Sequence, residues 1–353
     1  ISACLVGSEM CIRDSLSDVQ AMRELSVIVV SWNVRDLLRV CLQTVYAELG
    51  KAHSRAGVQT EPAPAAGEEG RLSAPAAGPR DGASSEVIVV DNASHDGSGD
   101  MVRAEFPDVR LVANDGNAGF GAGNNQGLAL AEGRYILFLN PDTEVRAGAI
   151  GHMLAFIDQR PQVACAGPKL LNSDGSIQPS RRSFPRLSTA FVESTVLQRY
   201  LGTLPALRDF YHADAAPDEP QAVDWVVGAC MLTRREALDR VGGFDERFFM
   251  YSEEMELCYR LRRAGYEVWY VPEAEIVHHE GASSRQDVFR RNVNFHESRY
   301  RFFRKHHGPA QALALRWFVF GTFLFQLAEE AAKFVLQPAK RGLRRERIQL
   351  YTK

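Results

Sequence analysis

Residues 86–98 read EVIVVDNASHDGS. The first half, Glu86–Asp91, is a run of β-branched apolar residues with no polar alternation, which suits a strand covered on both faces. It then gives way at once to Asp91, Asn92, Ser94, Asp96, Gly97 and Ser98, all turn formers. Similar apolar runs occur at Ser26–Ser31 (SVIVVS), Val109–Val112 and Tyr135–Leu139 (YILFL). Helical spacing lies between them. Arg35–Leu49 places Leu38, Leu42, Val45, Tyr46 and Leu49 on one face, an Ala-rich helix follows the third run, and Ala147–Asp158 follows the fourth. Alternating strands and helices predict an α/β fold with a mixed, mainly parallel sheet flanked by helices. Ligands of such sheets bind beyond the carboxyl ends of the strands. The polar clusters Ser31–Asn33, Asp91–Asn92, Asn114–Asn117 and Asn140–Asp142 are therefore expected to converge on one crevice.

At 353 residues the chain can bury a large core. Its apolar fraction of 45% and charged fraction of 24% suit a globular protein. A net charge of −3 gives no reason to expect a nucleic-acid partner. Six cysteines without a CxxC pair point to a reducing, cytoplasmic setting rather than to disulfides or zinc. No apolar run reaches the ~20 residues that span a bilayer.

Residues 1–25 show no helical or strand period and lack the basic-then-apolar order of a signal peptide. A non-native or disordered leader is expected there, with the natural start near Met22. Gly50–Ser85, rich in Ala, Pro, Gly, Glu and Ser, has almost no large apolar residue and is expected to be a flexible insertion. The main domain is expected over 26–300. Residues 301–353 are expected to form a helical tail, in which the apolar WFVFGTFLF (Trp317–Phe325) precedes Lys340, Arg341, Arg344, Arg345 and Arg347. That order suits a helix lying at an anionic membrane surface, and equally a core helix with a solvated basic end.

Several residues have two readings. Asp91, ending a buried strand, suits a ligand to a base or ribose, and also a turn. Asp142 in Asn140-Pro-Asp suits an oxygen ligand to Mg²⁺ or Mn²⁺, and also a helix cap. Gly121-x-Gly-xxx-Gly127 resembles a loose dinucleotide fingerprint, but it follows the third strand rather than the first. Its glycines fit close backbone approach or tight helix packing. Trp225 suits either an acceptor-facing wall or the core.

The helix expected to start at Ser252 has an apolar face at Leu257, Cys258, Leu261 and Ala264. With Glu254 at zero these fall at roughly 300°, 40°, 340° and 280°. Glu254 thus points inward and is a general-base candidate. Glu253 and Glu256 fall toward the flank and back, where the helix macrodipole accounts for them. Ser252 is the expected N-cap and Gly265 the C′ residue. His278 and His279 follow a strand-like run, and either can reach a metal beside a diphosphate.

Taken in order, SVIVVSWN, EVIVVDNASHDGS, NAGFGAGNNQGL, YILFLNPDTEV and the stretch from Gly228 through the His pair resemble the inverting GT-A glycosyltransferases of family 2, especially rhamnosyltransferase-like members. The likeness runs from Ser26 to Ser284 apart from the insertion. It implies a Rossmann-like nucleotide site in which Asp91 contacts the base and Ser31, Asn33, Asn92, Asn117, Gly119, Asn124 and Asn140 lie along a nucleotide-sugar donor. It implies Mn²⁺ or Mg²⁺ on Asp142 and, more naturally than His279, on His278. The family's Glu-Asp base pair falls on Glu253-Glu254, so the base is Glu254, a Glu for the family's Asp. Trp225, Gly228, Ala229 and Glu253 are then expected on the acceptor side, facing a glycan or polyprenyl-linked acceptor. A dTDP-rhamnose or UDP-sugar donor and a place at the inner face of the cytoplasmic membrane complete the expectation. Two rival readings are a processive polysaccharide synthase, whose QxxRW motif is broken by Leu313 before Arg316-Trp317, and a nucleotide-sugar-binding protein without catalysis.

Overall fold

The computed structural model describes residues 23–50, 84–193, 195–201, 204–279, 281 and 288–352. Residues 1–22 of the expected leader and 51–83 of the expected insertion lie outside these. So does most of the loop after the His pair.

The strands are β1 (Leu25–Ser31), β2 (Ser85–Asp91), β3 (Arg110–Ala113), β4 (Tyr135–Leu139), β5 (Thr143–Val145), β6 (Val163–Leu171), β7 (Ile177–Gln178), β8 (Arg181–Arg182), β9 (Gln221–Val223), β10 (Trp225–Val226), β11 (Cys230–Arg234) and β12 (Glu267–His278). The helices are α1 (Arg35–Glu48), α2 (Ser98–Glu105), α3 (Phe120–Leu130), α4 (Ala149–Asp158), α5 (Leu187–Val192), α6 (Gln198–Leu201), α7 (Pro205–Phe210), α8 (Arg235–Val241), α9 (Glu253–Arg263), α10 (Val288–His306), α11 (Pro309–Leu336) and α12 (Arg341–Thr352). Between β8 and β9 lie the short helices α5 to α7.

The main sheet runs β3-β2-β1-β4-β11-β6-β12-β5. β1 pairs in parallel with both β2 and β4, so chain order reverses at β1 and opens a crevice at its carboxyl end. β11 runs antiparallel between β4 and β6. Its start, and with it Gly228 and Ala229, therefore sits at the same sheet edge as Asn140. β12 is parallel to β6 and antiparallel to β5, with His278 opposite Thr143. That register brings His278 beside Asp142. β12 continues through Pro272 to His278 over an irregularity between Val271 and Glu275.

The unbroken apolar strands are explained by burial on both faces. Val27, Val29, Val87 and Val89 pack with α1, α2 and α4, while Ile28, Val30, Ile88 and Val90 pack with α8 and α9. α3 crosses β1 closely: a Cβ on Gly127 would lie 2.4 Å from Ile28 Cγ2, and one on Gly123 2.8 Å from Val30 Cγ1. The glycines thus serve helix packing, one of the two roles expected. A third cluster joins Ala190, Phe248, Met255, Phe302, Phe303, Ala312 and Leu315, and so docks α10 and α11 on the domain.

α9 corrects the helical-wheel reading at three points. Ser252 precedes the helix, but with φ 65° and no side-chain cap bond. Glu253 is buried at 5% exposure. Glu256, expected to face outward, is fully buried at 0%. Arg260 Nε donates to it at 2.8 Å, Lys305 Nζ at 2.5 Å, and His306 Nε2 lies at 3.2 Å. The wheel failed because α10 covers the back of α9, a neighbour invisible to local periodicity. Arg260 also donates to the carbonyls of Val241, Gly242 and Gly243, which satisfies the end of α8. Lys305 reaches Asp245 as well, at 2.7 Å. Gly265, with φ 92°, takes the left-handed C′ position as expected.

Burial alone would push the Glu256 carboxyl up, but bonds from His306, Lys305 and Arg260 outweigh it and hold the carboxyl below its ordinary range. A depressed folded-state value contributes stability above the unfolded value, which is lost as pH falls through the folded one. Glu256→Gln leaves these cations without their buried counter-charge. It is expected to destabilise the protein by about 3–5 kcal/mol at neutral pH. The gap to the parent should narrow in acid, measured by urea denaturation across pH.

Candidate active site

A cleft of about 640 Å³ opens at the carboxyl ends of β1 and β4. It gathers Ser31, Asn92, Asn117, Asn140, Asp142, Gly228, Ala229, Glu253, Glu254 and His278. Residues from seven separate segments of the chain thus meet in one wall, as the strand ends require.

The remaining expected residues lie off this wall. Asp91 ends β2, buried at 6% exposure, and its Oδ1 accepts the Ser94 N–H at 3.3 Å. Its carboxylate faces its own turn. Asn33, with φ 52°, accepts the His95 N–H at Oδ1 (2.7 Å) and donates its own N–H to Ser94 Oγ (2.9 Å), which ties the β1–α1 loop to the β2–α2 loop. Gly119 admits Phe249 rather than a ligand: a Cβ there would lie 2.6 Å from the Phe249 carbonyl. Asn124 is buried inside α3 and donates to Phe120 O at 3.0 Å. Trp225 donates to Ser183 O at 3.0 Å and packs between two core clusters, which favours its core reading. These residues shape the site from behind.

At one end of the cleft, His278 Nε2 lies 3.4 Å from Asp142 Oδ1. The tautomer follows from a chain of hydrogen bonds through the β6–β7 hairpin. Asp174 carries an acceptor-only carboxylate. Ser176 Oγ donates to it at 2.6 Å, and Asn172 Nδ2 donates to Ser176 Oγ at 2.9 Å. Gln178 Nε2 donates to Asn172 Oδ1 at 3.2 Å, so Gln178 Oε1 is left to accept from His278 Nδ1 at 2.8 Å. In the neutral ring Nδ1 therefore carries the proton, and Nε2 turns its lone pair toward the Asp142 carboxylate. Asn140 Oδ1 is buried without a hydrogen-bond partner, and Asn140 Nδ2 lies 3.5 Å from the same Nε2. A ring nitrogen beside carboxylate and amide oxygens is a set of atom types that suits a divalent cation. No group of three His, Cys, Asp or Glu ligands occurs among the described residues. The set therefore fits a cation completed by oxygens of a bound diphosphate. His279 is directed elsewhere, with Nε2 2.6 Å from Glu144 and Nδ1 2.7 Å from Ser173 Oγ. Of the two His residues, His278 is the one that lies beside Asp142 in the cleft.

Glu253 and Glu254 line the same cleft from the start of α9. Each has a buried Oε2 without a hydrogen-bond partner. Burial and the neighbouring Glu254 charge push the Glu253 carboxyl well above its ordinary range. Burial raises Glu254 as well, against a downward pull from the backbone N–H groups of Glu254, Met255 and Gly228. Burial thus pushes both adjacent carboxyls up, and at Glu254 the backbone N–H groups oppose the rise. Gly228 lies against it, where an added Cβ would meet Glu254 Cβ at 3.3 Å.

Sequence reasoning missed the α10 contribution. Arg291, Asn292, Phe295 and His296 line the cleft, as do Trp32, Met250 and Tyr251. The RRN triplet at Arg290–Asn292 was the available signal, yet nothing in it showed which way the helix folds back.

A sequence profile of the family described as glycosyl transferase family 2 matches residues 80–242. N-acetylglucosaminyl-diphospho-decaprenol L-rhamnosyltransferase of Mycobacterium tuberculosis is 31% identical over 275 residues, covering 75% of this chain and 87% of that protein. Rhamnosyltransferase WbbL of Escherichia coli K12 is 31% identical over 183 residues, covering 49% of this chain and 66% of its own length. Among solved structures, a mannosyltransferase from Pyrobaculum calidifontis in complex with GDP-Man and Mn²⁺ superposes with a TM-score of 0.52 at 18% identity, over 94% of this chain and 85% of that one. That likeness shows the GT-A fold. The sequence relationship shows more, and this chain belongs to glycosyltransferase family 2, among its rhamnosyltransferase-like members.

Proposed function

We propose that this enzyme transfers a single sugar, with inversion, from a nucleoside-diphosphate sugar to a hydroxyl of a glycan or lipid-linked acceptor. The carrying observation is the cleft that holds the Asp142–His278 pair together with the Glu253–Glu254 pair. dTDP-rhamnose is the donor favoured by the relatives' names, with UDP-sugars as the second choice. The polyprenyl diphosphate acceptor named for the mycobacterial relative suggests work in cell-envelope glycan synthesis at the inner face of the cytoplasmic membrane.

Glu254 accepts the proton of the acceptor hydroxyl as its oxygen attacks the anomeric carbon. The bond from that carbon to the diphosphate oxygen breaks on the opposite face, so configuration inverts. Asp142 and His278 would hold Mn²⁺ or Mg²⁺, whose charge neutralises the departing diphosphate. Ser31, Asn92, Asn117 and Asn140 orient the donor. Asp91 supports this wall through the turn it closes, and a carboxylate that accepts the Ser94 amide at one oxygen keeps lone pairs for the base.

Glu254→Gln should lower transfer by roughly 10²–10⁴-fold while nucleotide binding persists. The acid limb of the parent's kcat/KM profile should lie above the 4.5 of an ordinary Glu carboxyl, because only the ionised base works and burial raises it. A variant as fast as the parent, with normal nucleotide affinity, would remove Glu254 as base. Gln178→Leu removes the acceptor that fixes the His278 tautomer. It should weaken Mn²⁺-dependent nucleotide binding by about 10–100-fold, read by calorimetry with and without metal. Unchanged affinity would separate His278 from the metal.

A further inference from the structure

A second cavity, of about 790 Å³, lies between α10, α11 and the loop before α9. Six cationic side chains line it (Arg247, Arg299, Arg301, Arg304, Lys305 and Arg316) against one carboxylate, Glu297. Four of the cations have acidic neighbours. Arg247 and Lys305 pair with Asp245, Arg299 with Glu193, and Arg301 with Glu297 at 3.6 Å. Arg304 and Arg316 have no acidic partner among the described residues, and Arg316 instead lies 5.5 Å over the Tyr300 ring. Phe248, Leu315 and Val319 supply the apolar remainder.

Two neighbours say what could fill such a cavity. The first is the rest of α11. Leu313, Trp317, Phe320 and Leu324 are exposed at 47%, 68%, 52% and 50%. Their spacing places them within roughly 60° of arc on one side of the helix, next to Arg316. Val335, at 67%, continues the same stripe. The 28-residue helix is long and apolar enough to cross a membrane by length and composition, with 11% of its most apolar window buried. This exceeds the short apolar run expected from sequence. The second neighbour is the catalytic cleft, since His296 lines both cavities. Burial, with Arg299 beside it, pushes the His296 pKa down to about 4, so the shared wall is neutral at physiological pH.

We propose that this basic cavity binds the diphosphate of a prenyl-chain acceptor, with the hydrocarbon running along the exposed stripe of α11 and the attached sugar reaching past His296 toward Glu254. Charge complementarity selects the diphosphate: arginine forks match phosphate oxygens in pairs. The shared wall selects a reacting lipid over bulk lipid headgroups, which have no need of a place beside the cleft. The proposal deepens the transferase reading and rests on it.

Farnesyl diphosphate in neutral detergent is the probe, with binding to the full chain followed by calorimetry. The parent should bind it about tenfold or more tightly than farnesol, and Arg304→Ala with Arg316→Ala should erase about that preference. Both side chains are exposed, and circular dichroism checks the fold. Arg304→Lys with Arg316→Lys, which keeps both charges, should retain most of the binding. Neither UDP nor dTDP, each with Mn²⁺, should displace the probe. Equal affinity for farnesol, or an alanine pair that binds as the parent does, would overturn the proposal. Displacement by the nucleotides would place the diphosphate in the catalytic cleft instead. Displacement by phosphatidylglycerol-containing vesicles would reassign the cavity to lipid headgroups. Binding is read without turnover, so its failure leaves the Glu254 test untouched, and failure of that test leaves this one standing.

Discussion

The buried Glu256 carboxylate is the point on which the catalytic half of the molecule is fixed. It sits at 0% exposure under cations from α9 and α10, and Arg260 extends the contact to the end of α8. An unpaired charge in that place would be costly, so α8, α9 and α10 must dock together or not at all. Once they dock, the first turn of α9 can face only one way. Glu253 and Glu254 are held in the cleft by a residue that takes no part in it.

The other half depends on strand direction. β11 enters antiparallel between two strands that run the opposite way, and so carries Gly228 and Ala229 to the edge where β1 and β4 end. β12 returns parallel to β6 and meets β5 with His278 opposite Thr143. The hairpin at β7 then reaches under His278 with Gln178. Asp142, His278, the amides of Asn92, Asn117 and Asn140, and the two carboxyls come from distant parts of the chain, and strand order together with the docking of α9 makes them neighbours.

Much of this was legible in the sequence because it is local. Apolar β-branched runs ending in Ser, Asp or Asn mark strands buried on both faces and the crevice beyond them. The inward angle of Glu254 follows from four apolar neighbours in the same helical stretch. What escaped was every contact made by a distant partner. Glu256 looked solvent-facing because α10 lies far along the chain, and Gly119 looked like a ligand contact because Phe249 is equally remote. Asp91, Asn33 and Asn124 have the right residue types in the right blocks, yet their side chains are taken up by turns and by α3. His278 and His279 could not be separated until β5 and the β7 hairpin each claimed one.

The central claim is that donor binding and proton abstraction share the cleft between β1, β4 and the start of α9. A crystal structure of the chain with a nucleoside diphosphate and Mn²⁺ tests it most directly. The account predicts the metal on Asp142 and His278 Nε2, bridged to the diphosphate, with the Glu254 carboxylate facing the space the sugar vacates. A metal bound without His278, or a diphosphate whose free end points away from Glu254, would contradict it.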